Sequence, residues 1–207
     1  MAYSDFSLPR VKKDFGLTLD ESRNLFAYTK PVSPSEILTT IRLDYVPLAT
    51  FISTEKARSE FLIAPILAEV RRLSNKQVSL FSGKDFTVDP ERGLQGFCDY
   101  IISGSSEQLF ISVPVIITII EAKKEDLIGG LGQCVAAMVA AQCFNQNQDT
   151  EVDRIYGAVT TGTNWKFLIL EETTVYIDPI EYYIQYVDKI LGILLQPFSQ
   201  SFVNMEP

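Results

Sequence analysis

Two stretches of the chain carry residues whose types and spacing suit chemistry. In residues 116–124, IITIIEAKK, an apolar β-branched run ends in Glu121, Ala122, Lys123 and Lys124. Alternate residues of a strand share a face, so Glu121 and Lys123 project together, an acid and a base at a strand end, and Ala122 turns the other way. Residues 96–100, GFCDY, set Asp99 alone inside another strand-like segment, where propensity and desolvation both disfavour a carboxylate. A residue so placed is expected to have a task. The chain has 0 histidines. That excludes Ser-His-Asp and Cys-His catalysis and zinc sites built on histidine, and leaves carboxylates, lysines, hydroxyls and oxygen-preferring metals such as magnesium.

Composition bounds the scaffold that holds these residues. At 207 residues and 46% hydrophobic content, the chain buries a sizeable core and fits one domain. The apolar run 109–120 contains Ser112, Pro114 and Thr118 and falls short of the roughly 18 residues of a membrane span. The N-terminus lacks the order of a signal peptide, so a cytoplasmic protein is expected. Cys98, Cys134 and Cys143 show no CxxC spacing and are expected as reduced core thiols. The net charge of −8 opposes a phosphate-rich partner, although a local basic patch or a bound cation offsets it.

Residues 1–50 are expected to form an N-terminal arm and helix packed on a core domain of residues 51–196, followed by a loose tail, 197–207. Ser33, Pro34 and Glu36 have the pattern of a capped helix start, and Pro47 marks its end near Tyr45. A longer helix spans 55–73, with a kink at Pro65. Within it Glu60 precedes the apolar FLIAPIL and is a candidate third carboxylate aimed at the strand ends, or equally a half-exposed helix residue. Glu69, beside Arg71 and Arg72, reads as part of a solvated face. Strands follow at 78–89, 95–103 and 109–122, joined by short turns that imply an antiparallel meander. The third is apolar on both faces, as a covered central strand should be.

A helix over 125–145 carries Gly129, Gly130 and Gly132, which admit close approach of another backbone and match no phosphate-binding fingerprint. Gln133 stands almost alone as a polar residue there, either a satisfied core amide or a contact to phosphate or attacking water. Strands at 155–161, 165–170 and 174–177 complete the sheet. A last helix, 179–195, is expected to bear Tyr182, Tyr183 and Tyr186 as core or dimer seam.

Helix, three-strand meander, helix and strand, with Asp99 on the second strand and Glu121-x-Lys123 ending the third, resembles the PD-(D/E)xK nuclease superfamily. Narrowly, GFCDYI, IIEAKK and GLGQC are similar to nuclease domains of restriction systems and of uncharacterised cyanobacterial proteins. The resemblance spans about residues 55–161. It implies an α/β (α+β) fold with a restriction endonuclease-like αβββαβ core, a central mixed sheet flanked by helices. It also implies a site of Glu60, Asp99, Glu121, Lys123 and Gln133. Ala137 stands where some relatives carry a tyrosine after the glutamine.

The implied activity is magnesium- or manganese-dependent hydrolysis of nucleic acid, DNA foremost. Asp99, Glu121, Glu60 and the Ala122 carbonyl would hold metal, Lys123 would orient water or offset charge on phosphorus, and Gln133 would position water or backbone. A homodimer follows by analogy with double-strand cutting. Two alternatives stand beside this reading: a nuclease fold without catalysis that serves assembly, and an Asp99–Glu121–Lys123 ion cluster that fixes strand register. Sugar hydrolysis by paired carboxylates is disfavoured, because the neighbouring lysine lowers the acid's pKa.

Overall fold

The computed structural model describes residues 1–121 and 126–199. Among these, an eight-stranded mixed sheet runs through the molecule with helices on both faces. The chain enters through helix α1 (Leu8–Asp14) and strand β1 (Thr18–Asp20), then α2 (Glu36–Ile52). One long helix follows in three parts: α3 (Glu55–Arg58), a π-helical turn (Ser59–Ile63) and α4 (Ala64–Leu73). Strands β2 (Ser79–Asp85), β3 (Phe97–Ser103) and β4 (Val115–Glu121) form the expected antiparallel meander. Helix α5 (Leu127–Gln146) crosses back to β5 (Ile155–Thr160), which lies parallel to β4. Strands β6 (Asn164–Glu171), β7 (Thr174–Ile177) and β8 (Tyr182–Tyr183) and helix α6 (Val187–Leu195) close the fold. The order across the sheet is β1-β7-β6-β5-β4-β3-β2, with β8 beside β6.

The two faces bury separate apolar layers. On one, Leu131, Val135 and Met138 of α5 meet Ile101, Val159 and Leu168, and the N-terminal Tyr3, Phe6 and Val11 join them. On the other, Ile63, Ile66 and Leu67 of the long helix and Ile190 and Leu194 of α6 cover Tyr100, Ile117, Trp165 and Phe167. The N-terminal arm is therefore woven in, with β1 paired in parallel to β7. Gly132 shows why: a Cβ there would collide with the backbone of Phe6 and Ser7, so only glycine lets α5 and the arm touch. Among the described residues α5 is also the one helix long and apolar enough to cross a membrane, although 61% of its most apolar window is buried within the fold.

Several elements depart from the sequence pattern for physical reasons. Ser35, rather than Ser33, caps α2 by accepting the Leu38 amide at 3.2 Å. The helix then runs through Pro47 to Ile52 instead of ending near Tyr45. Pro47 and Leu43, whose carbonyl its ring deprives of a partner, both lie on the exposed side, so that carbonyl is open to solvent. The expected kink at Pro65 takes the form of the π turn just before it, where the Ala64 amide bonds back to the Ser59 carbonyl. Strand β4 starts at Val115, and the apolar Leu109 and Phe110 before it stand 90% and 56% exposed in a loop. Tyr182 and Tyr183 form the short β8 rather than a helix, with Tyr182 in the core and Tyr183 and Tyr186 exposed. Glu69 is not on a solvated face: it is 5% exposed and bonded to Ser35 and Arg72.

Candidate functional site

Strands β3 and β4 deliver Asp99 and Glu121 to the same end of the sheet. Their ladder closes at the pair Tyr100 and Ile119. Asp99 is the next residue outward on β3, and Glu121 is the final residue of β4. On its other side Glu121 lies in register with Thr160, the last residue of β5. The backbone thus converges two of the five expected site positions on one strand-end region.

Asp99 is half-buried. Strict alternation breaks around it, because Cys98 and Ile101 pack into the same apolar layer. Gly83, the β2 residue between the pairs Ser82–Tyr100 and Lys84–Cys98, takes a positive φ of 58°, and the local twist it allows accompanies that break. The Cys98 thiol is pushed up to about 12, chiefly by burial and then by the charges of Asp99 and Asp85. Asp85, the last residue of β2, is therefore a further carboxylate at this end of the sheet. Its position after the turn-prone Gly83-Lys84 gives little sign of this in the sequence.

Glu60 lies in the π turn, its side chain 52% exposed and ion-paired to Lys56 one turn earlier at 2.7 Å. That i, i+4 pairing engages it along the helix surface. Gln133 is half-buried on α5, close to Cys134, whose thiol donates to the Ala158 carbonyl of β5 at 3.6 Å. Asp126 caps α5 by accepting the Gly129 amide at 2.9 Å. Ala122, Lys123 and Lys124 lie outside the described residues.

The loop after β5 completes the rim. Thr160 Oγ1 accepts the Gly162 amide and donates to the Asn164 carbonyl, both at 2.8 Å, and the Thr161 and Thr163 hydroxyls lie 3.0 Å apart. Arg58 donates to the Thr161 carbonyl at 3.4 Å, and Tyr100 is bonded to Ser59. Arg58, Ser59, Tyr100 and this threonine loop went unmarked in the sequence, because nothing in their types announces a partner so distant along the chain.

The donor chemistry suits a hard cation. Asp85 and Asp99 supply carboxylate oxygens at this end, and oxygen donors are what magnesium and manganese prefer. Among the described residues no group of three or more His, Cys, Asp or Glu could hold a metal by itself. No family model, curated protein or solved structure matches the chain.

Proposed function

We propose that the protein is a metal-dependent nuclease, hydrolysing phosphodiester bonds of nucleic acid, DNA foremost, at the strand-end carboxylates. The observation that carries this reading is the delivery of Asp99 and Glu121 to one end of the β3 and β4 pair, inside an element order of helix, three strands, helix and strand. That order is the one the PD-(D/E)xK resemblance calls for.

In this reading Asp99, Glu121 and Glu60 would hold magnesium or manganese, aided by the Ala122 carbonyl, and Glu60 is paired with Lys56. Such an ion lowers the pKa of a bound water and offsets charge on phosphorus. Lys123 orients the attacking water, and Gln133 holds water or the substrate backbone. The test is cleavage of supercoiled plasmid, single-stranded DNA and RNA with either metal. Parent protein cuts at least one substrate and Asp99→Asn and Glu121→Gln cut none. A parent inert on all of them, or an Asp99→Asn variant as active as parent, refutes the proposal.

A second reading, a nuclease-like fold used for assembly, draws on α2, where Ile37, Leu43 and Phe51 are 66%, 73% and 89% exposed. It requires that metal neither binds nor supports cleavage.

A further inference from the structure

The connection from β2 to β3 ends in an exposed aromatic ring. Phe97 opens β3 and is in register with Asp85, the last residue of β2. Cross-strand partners project from one face of a sheet, so Phe97 and Asp85 are side-chain neighbours. Asp99 follows two residues later, about 7 Å along an extended strand. The residues beside this pair in the chain turn inward, Phe86 being 3% and Cys98 1% exposed. Phe97 is 67% exposed and belongs to neither apolar layer of the fold. A large apolar ring left in water, next to one carboxylate and two residues from another, serves no packing purpose there.

The backbone beneath the ring is braced. The Asp85 carboxylate accepts the Thr87 amide at 3.2 Å, the Thr87 hydroxyl accepts the Gly96 amide at 3.4 Å, and the Gly96 carbonyl accepts the Phe86 amide at 2.8 Å. From the N-terminal arm, Tyr3 donates its hydroxyl to the Phe86 carbonyl and its amide to the Gln95 carbonyl, the latter at 3.2 Å. Gly96 has a φ of 121°, which an L side chain rarely adopts, and so turns the chain into β3. A ring carried on so fixed a turn loses little freedom when something lies against it.

We propose that Phe97 is a stacking platform for an unpaired base, so that the substrate class of the strand-end site is single-stranded nucleic acid. The proposal rests on the reading of the strand-end carboxylates as a phosphodiester site. Duplex binding is driven by many Lys and Arg contacts to phosphate, for which a chain of net charge −8 is poorly supplied. Stacking on an aromatic face adds affinity without any charge, and it needs a base freed from its complementary strand. With the ring two strand residues from Asp99, the stacked base belongs to a nucleotide adjoining the phosphate that is cut.

The test measures binding without cleavage, with calcium replacing magnesium. Fluorescein-labelled DNA and RNA single strands, and the same strands annealed to their complements, are titrated at several salt concentrations. The parent is expected to bind a single strand more tightly than its duplex. Phe97→Ala is expected to weaken single-strand binding about tenfold and to leave the slope of log affinity against log salt unchanged, because stacking displaces no counterion. Phe97→Leu keeps an apolar side chain without the aromatic face; it falls to the same level, and stands in should Phe97→Ala not fold. Phe97→Trp retains parental affinity. Parental single-strand affinity in a folded alanine or leucine variant overturns the proposal, and so does a parent that prefers duplex or binds no probe. A parental dimer that Phe97→Ala dissociates in sedimentation, with single-strand binding intact, assigns the ring to self-association instead and also overturns it. Cleavage by the parent in any of these cases keeps the nuclease reading. A parent that binds single strands through Phe97 and never cleaves removes the nuclease reading and keeps the platform.

Discussion

The side-chain amide of Asn145 holds both backbone polar groups of Val115, accepting its N–H at 2.8 Å and donating to its carbonyl at 2.8 Å. Asn145 is 1% exposed near the end of α5, and Val115 opens β4. The amide therefore stands in for a neighbouring strand and fastens the far end of the crossover helix to the strand that leads to Glu121. Asn145→Leu strands two buried backbone groups, at about 3 kcal/mol. Asn145→Asp keeps only the acceptor and falls between parent and Leu. Urea unfolding checks both, and a loss below about 1 kcal/mol for the leucine variant contradicts the clamp.

Glu69 gives an acid-range prediction. Its carboxylate accepts the Ser35 amide and two Arg72 nitrogens, each at 2.8 Å. The Arg72 bonds first, then those from Ser35, hold the carboxyl below its usual range against the effect of burial. A lowered folded pKa gives stability that is present above the ordinary carboxylate range and is lost as pH falls through the folded value. Glu69→Gln should cost about 2 kcal/mol at pH 7, with the gap closing below about pH 4. A gap independent of pH in that window would show that the charge is irrelevant.

At the alkaline end the sign reverses. Cys98, raised from 9.0 to about 12, favours the folded state fully below pH 9.0, and that contribution fades as pH climbs toward 12. Tyr3 and Tyr182, also pushed up mainly by burial, steepen the alkaline loss in parent and variant alike. Cys98→Ala, though less stable overall, should therefore lose stability less steeply between pH 9 and 11. Equal slopes in chemical denaturation would assign the loss to the tyrosines alone.

Gly132→Ala tests the union of arm and core. A Cβ at that position overlaps the Phe6 carbonyl and Ser7 backbone, so the arm or α5 must shift. A loss of about 2 kcal/mol is expected, together with faster tryptic cleavage after Lys12 or Lys13. Unchanged proteolysis would mean that the arm accommodates the methyl without loosening.

Metal titration separates the two functional readings. Magnesium or manganese should raise the melting temperature of the parent, and Glu121→Ala should abolish that shift. Without metal, Asp99→Asn should melt no lower than parent, because it removes one of the two negative charges, Asp99 and Asp85, that act on the buried Cys98. A marked fall would favour a structural ion cluster.

The meander and its crossover helix are legible in the sequence because apolar runs alternate with turn residues, and both Asp99 and Glu121 sit where that pattern locates them. What stays illegible depends on partners. Leu109 and Phe110 look like strand residues, yet no layer covers them. Glu69 looks solvated beside two arginines, and only the distant Ser35 amide explains its burial. Glu60 carries its own local signal, since Lys56 stands one helical turn before it. Arg58 and Tyr100 offer none, because their value lies in contacts to Thr161 and Ser59 across the fold.

The pairing of β1 with β7, which sets Thr18 against Thr174, has a further consequence during synthesis. Residues 3–20 are synthesised before α5 and β7 and have no mate until those elements follow. Tyr3, Phe6 and Val11 must spend most of translation with apolar surface uncovered. This arm, made before its partners, must wait for them before it can find its place.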